Sequence, residues 1–277
     1  MKTNSATLLV ALASSIFTTQ SIAEEYEVDP QVKERLEAVL GQSGGTLTYF
    51  DGPSDMVGIG VSFLNGKQMV VYATPDGATV FSGVAIDVNT GRNLSNGDMQ
   101  KLPPPKYDGV VSMVSGVVND NGLKTTYFSE GNPDSPNKYY VFVDPKCPYC
   151  HKTYNAFLSL LANGNDLVVH YIPVGILGPE SENIAKEMLA LPTAQALDVF
   201  RAVARREAHL VDPSVATNGT GAHGANLAIF RELQFDAVPV VISDLGGEMA
   251  VRRGMIEPDV LLQELQIAAV NAVASRQ

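Results

Sequence analysis

The chain has 277 residues, 45% hydrophobic and 18% charged, which is ample for one large or two modest folded domains and excludes a disordered chain. A formal net charge of −11 excludes the basic surface that nucleic-acid binding needs. With two cysteines, three residues apart, and four dispersed histidines, zinc fingers, iron–sulfur clusters and a disulfide-stapled scaffold are excluded as well.

Lys2, the apolar run from Ala6 to Phe17 and the closing Ser21-Ile22-Ala23 have the three parts of a secretory signal peptide, with cleavage expected after Ala23, so that residues 1–23 are removed. The apolar run is too short to span a bilayer, and no later segment is long and apolar enough, so the expected product is exported and not membrane-inserted. Asp29-Pro30 then opens a helix, Asp as N-cap and Pro at the first helical position, with Val32, Leu36, Val39 and Leu40 on one face and Gly41 as its stop. Strand patterns follow at 46–50, 57–64, 68–74 and 78–87, with Asn65-Gly66 and Pro75-Asp76-Gly77 as turns. Residues 24–88 therefore read as a small α+β domain.

Residues 89–130 break this pattern. Pro103-Pro104-Pro105 is a stiff spacer, and Val110, Met113, Val114, Val117 and Val118 recur at helical spacing, so the segment reads as a linker with one short helix. Residues 131–277 form the second domain, with Gly131–Asn137 as a turn-rich boundary. A continuous apolar strand at 139–143 leads through Asp144-Pro145-Lys146 into a helix that starts at Cys147 and runs to about 162. A strand at 166–172, helices at 180–191, 193–207 and 226–233, a hairpin of 238–243 with 248–253, and a closing helix at 258–274 complete it.

The chemistry lies in Cys147-Pro148-Tyr149-Cys150. A disulfide between cysteines this close closes almost no loop and stabilises little, so the pair is explained by reactivity. At a helix start, the first sulfur faces unpaired backbone N–H groups and the positive end of the helix dipole, which favour its thiolate. Cys147 is thus the expected nucleophile, and Cys150, one turn on, is placed to resolve a mixed disulfide. Asp144 is either a buried proton acceptor or simply the strand end, and His151 is a candidate for tuning the thiols when protonated. Cys147-x-x-Cys150-His151 also fits c-type haem attachment, with His151 as axial ligand, but its place between a Val/Phe-rich strand and a helix disfavours that reading. His170, His209 and His223 read as structural or exposed. Tyr49, Phe50, Phe63 and Tyr72 read as core or dimer seam, some of them as the lining of a cleft for unfolded clients.

Val141-Phe142-Val143-Asp144-Pro145-Lys146-Cys147-Pro148-Tyr149-Cys150 resembles the active-site strand and motif of the DsbC/DsbG family of thioredoxin-fold periplasmic disulfide isomerases, the DsbG branch most closely. Pro173-Val174-Gly175-Ile176-Leu177-Gly178-Pro179-Glu180-Ser181 resembles the loop before that family's helical insertion. Thr74-Pro75-Asp76-Gly77, Phe81-Ser82-Gly83 and Asn93-Leu94-Ser95 resemble its N-terminal domain. The resemblance implies an α+β architecture: an N-terminal cystatin-like dimerisation domain, a linker helix and a C-terminal thioredoxin-fold domain with a helical insertion. It further implies a V-shaped periplasmic homodimer that acts on unfolded or mis-disulfided exported proteins, uses no metal or organic cofactor, and is kept reduced by an inner-membrane thiol reductant of the DsbD type. Pro148, Tyr149, Val238 and Pro239 would hold the client strand, with Val238–Pro239 as a cis bond. In that family Thr precedes this proline, whereas the oxidase DsbA carries Val, so Val238 leaves isomerase and DsbA-like oxidant both open. A holdase chaperone and a sulfenic-acid reductase are the other readings.

Overall fold

A computed structural model describes residues 26–119 and 121–274; the expected signal peptide lies outside them. The first element is α1 (Pro30–Leu40). The Asp29 carboxylate caps it by accepting from the N–H groups of Gln31 and Val32, and Val32 and Leu36 turn inward while Val39 stays exposed. Strands β1 (Thr46–Asp51), β2 (Val57–Ser62), β3 (Gln68–Ala73) and β4 (Val80–Ser82) form an antiparallel meander in that order, and α1 packs over its inner face on Ile59, Val61 and Val71.

The expected strand at 78–87 shrinks to β4. Gly83 adopts φ 153° and ends the ladder, after which only an isolated bridge from Ile86 to Asn93 remains. The linker holds two helices where the spacing predicts one: α2 (Leu94–Met99) and α3 (Asp108–Val114). Asn93 caps α2 through its side chain, a short-range signal too brief for periodicity to register. Gly116, at φ 78°, stops α3 before Val117 and Val118, which are exposed.

The second sheet has the order β5-β7-β6-β8-β9. Its strands are β5 (Phe128–Gly131), β6 (Asn137–Val143), β7 (Val168–Pro173), β8 (Val240–Leu245) and β9 (Glu248–Arg253). β6 runs parallel to β7 and antiparallel to β8, while β5 is an antiparallel edge on β7. β5 was not expected. It is four residues long at a sheet edge, too short for an alternating pattern, and only its pairing with β7 makes it a strand. The continuous apolar run at β6 follows from burial on both faces: Tyr139, Val141 and Val143 enter one core, Tyr140 and Phe142 the other.

On the first face lie α4 (Pro148–Ala162), α6 (Thr193–Ala204) and α9 (Pro258–Ala274); on the second lie α3 and α8 (Thr220–Glu232). α5 (Pro179–Ala190) and α7 (Pro213–Asn218) pack together within the helical insertion after β7. α7 went unforeseen because it is one short, polar turn-and-a-half. α3 therefore belongs to the second core, through Val110, Val111, Met113 and Val114. The Asn65 amide, at the β2–β3 turn, donates to the carbonyl of Leu233 beyond α8 at 2.7 Å, which ties the N-terminal sheet to the same layer. No helix among the described residues is long and apolar enough to cross a membrane.

Candidate active site

The site forms where β6 ends and α4 begins. Cys147 is the N-cap residue of α4, in extended conformation, and Pro148 fills the first helical position, where its missing N–H costs nothing. Both sulfurs are buried and both cysteines are free thiols. The Cys147 thiol points at the carbonyl oxygen of Val238, 3.7 Å away, and the Val238–Pro239 bond is cis. The Val238 side chain is partly buried against both cores, the first of which includes Cys147 and Cys150, and the polar group it presents to the nucleophile is its main-chain carbonyl. Pro239 in turn accepts from Gly254 N–H at 2.8 Å, which fastens the loop after β9 beside the site. Between that loop and α4 lies a cavity of about 380 Å³ lined by Lys152, Asn155, Ala156, Met255, Ile256 and Glu257.

The two thiols are electrically unequal. The Cys150 thiol, then the backbone N–H groups of Cys150 and Tyr149, stabilise the Cys147 thiolate and bring its pKa from 9.0 down to about 6, against desolvation and the charge of Asp144. Burial, and then the hydrogen bond it makes to Cys147, push Cys150 well above the usual thiol range. Near neutral pH the pair therefore holds one thiolate, on Cys147, and one proton, on Cys150.

Tyr149 is exposed beside Cys147, and the Lys152 ammonium sits 5.6 Å from its ring centroid. His151 donates from Nε2 to the Pro145 carbonyl at 2.6 Å. A carbonyl only accepts, so Nε2 carries the proton and is engaged by the loop that precedes Cys147; this ring nitrogen is not presented to a metal. Asp144 is fully buried. One carboxylate oxygen accepts from Lys146 N–H at 2.8 Å and from the Ser181 hydroxyl, the other from Leu177 N–H at 2.9 Å.

Sequence reasoning passed over Ser181 and Leu177 as site residues. Both lie in the segment Pro173–Ser181 that carried the resemblance, and nothing local in them indicates a carboxylate 33 to 37 residues earlier. The signal available was Gly175, held at φ 53° where a Cβ would stand 2.7 Å from the Glu182 Cα, marking a close approach of this loop to α5. Lys146 also pairs with Glu180 across the same gap. His170, His209 and His223 are away from the sulfurs: His170 contacts Ser129, His209 contacts Glu187, and His223 contacts the Val174 carbonyl.

A model of the thioredoxin-like domain family matches residues 131–269, half of the chain. The chain is 24% identical over 240 residues to the thiol:disulfide interchange protein DsbG of Pseudomonas aeruginosa, covering 84% of this chain and 86% of that one. It is 26% identical over 155 residues to the protein of the same name from Escherichia coli, covering 56% and 58% respectively. Among solved structures, the catalytic domain of Proteus mirabilis ScsC superposes with a TM-score of 0.46 at 14% identity, over 59% of this chain and 98% of that domain.

Proposed function

The chain belongs to the thioredoxin-like family and is a thiol–disulfide oxidoreductase, and on that premise we propose that it is an exported isomerase or reductase of mis-disulfided proteins. The observation that supports the reading most directly is the inequality of the couple, a Cys147 held near 6 above a buried, protonated Cys150. The Cys147 thiolate attacks one sulfur of a client disulfide; the S–S bond breaks, a mixed disulfide forms and the other client sulfur leaves as a thiolate, which takes a proton from water. Two exits follow. A second client thiol attacks the mixed disulfide, which frees Cys147 and leaves the client isomerised with no net electron transfer. Otherwise Cys150 attacks, leaving the client reduced by two electrons and a Cys147–Cys150 disulfide. An inner-membrane dithiol reductant of the DsbD type would return that disulfide to thiols.

The client strand would lie along the Val238–Pro239 backbone, with Pro148 and Tyr149 as its floor and the cavity beside Met255 taking an apolar side chain. Met suits this role because its flexible thioether adapts to varied partners. The protein would act in the periplasm as a homodimer joined through the edge strand β4 and the segment after it, where Phe81, Val84, Ile86 and Val88 are at least half exposed. An unpaired edge beside a run of exposed apolar side chains is a surface that a second copy can cover.

The test is reactivation of a scrambled multi-disulfide protein in glutathione buffer, beside Cys147→Ser. Thiol-dependent reactivation supports the isomerase. Failure with a reversible Cys147–Cys150 couple would indicate a DsbA-like oxidant or a sulfenic-acid reductase. Failure without such a couple, with suppression of client aggregation retained, would indicate a holdase chaperone.

A further inference from the structure

We propose that Asp144 is a positioning residue for the Cys147–Cys150 couple, its buried carboxylate fastening the helical insertion to the active-site loop while its charge sets how readily the couple is reduced. This deepens the reading above and rests on it. The geometry has two sides. On one, Asp144 belongs to the active-site loop: its carboxylate accepts from Lys146 N–H, its carbonyl accepts from Cys147 N–H at 3.1 Å, and its own N–H donates to the Cys150 sulfur at 3.5 Å. On the other, the same carboxylate accepts from Leu177 N–H and the Ser181 hydroxyl, at the entry to α5. One residue thus holds the resolving sulfur with its main chain and the first turn of the insertion with its side chain.

A carboxylate buried with no solvent exposure is costly unless its oxygens are hydrogen-bonded, and three donors meet that need here. The donors do not cancel its field at the sulfurs. The negative charge raises the proton affinity of both Cys147 and Cys150. A thiolate made more costly destabilises the dithiol form relative to the disulfide, so Asp144 holds the couple toward the reducing side, as a donor of electrons to clients requires.

The test uses the mature protein equilibrated with glutathione. There the Cys147–Cys150 disulfide takes its electron pair from two glutathione thiols, which leave as one glutathione disulfide. Asp144→Asn removes the charge and retains an acceptor for Lys146 and Ser181. It should move the equilibrium toward the dithiol by roughly tenfold, about 30 mV for a two-electron couple, and shift the thiolate absorbance midpoint of Cys147 to lower pH. Ser181→Ala keeps the charge and removes one donor. Less well neutralised, the carboxylate should then move the equilibrium the other way, toward the disulfide.

A purely structural role would lower the melting temperature of both variants without giving opposite signs. If Asp144→Asn does not fold, the sign of the Ser181→Ala shift decides alone. Glutathione equilibria of the folded variants within twofold of the parent, or displaced in the same direction, overturn the proposal. A parent with no reversible couple overturns it together with the functional reading, and that outcome is distinguished by being visible before any variant is made.

Discussion

The Cys147 sulfur and the Val238 carbonyl oxygen stand 3.7 Å apart across 91 residues of sequence. The contact uses the main chain at Val238, which every residue at that position supplies, while the valine side chain packs between the two cores.

The Cys150 thiol is the largest stabiliser of the Cys147 thiolate, so its removal has a defined sign. Cys150→Ala should raise the alkylation midpoint of Cys147 from about 6 toward 9, measured as iodoacetamide rate against pH. In the parent, only Cys147 should be alkylated at neutral pH, because Cys150 keeps its proton.

Reduced and oxidised protein should differ in their pH dependence of stability. The Cys147 pKa is depressed from 9.0 to about 6 in the folded reduced form, so between those values the unfolded thiol binds the proton that the folded thiolate has lost. Stability of the reduced form should rise on going from pH 6 to pH 8, by on the order of 2 kcal/mol, and fall again as pH drops through 6. The disulfide form lacks this group and should show no matching change in paired thermal melts.

His170 sits between Tyr127 and Tyr140, with ring centroids 4.4 and 5.0 Å away, and its Nδ1 contacts the Ser129 hydroxyl at 2.7 Å. Burial, and then the charge of Lys138, lower its pKa from 6.5 to about 4. The unfolded histidine protonates first as pH falls, so stability present above 6.5 is lost between 6.5 and 4. His170→Gln should reduce that loss by roughly 1–2 kcal/mol, allowing for the partial exposure of the ring, in denaturant melts at pH 7 and pH 4.5.

The dimer proposed through β4 should fail when its exposed apolar side chains are charged. Phe81→Glu with Ile86→Glu should give a monomer in sedimentation velocity where the parent sediments as a dimer. The glutathione equilibrium should be unchanged, since Phe81 lies in β4 and Ile86 in the segment that follows it, neither of them among the residues around the sulfurs. A parent that sediments as a monomer would refute the dimer.

The order of strands and helices around Cys147, the capped α1, the hairpin at Asn65-Gly66 and the identity of the reactive pair are carried by local signals: periodicity, capping residues and Cys spacing. Those signals are short-range, and they are present in the chain whatever it packs against. Four features were not legible in this way. β5 becomes a strand only because β7 offers an edge, and β4 ends early because Gly83 turns the chain. α3 looks like a free linker in sequence and is one layer of a core in space. Asp144 looks like a strand terminator, or a proton acceptor, and is a carboxylate held by three donors, two of them more than thirty residues downstream. The end of β4 is a local backbone turn; the other three depend on a partner distant in sequence, and a buried charge or an edge strand is defined by what the tertiary structure brings to it.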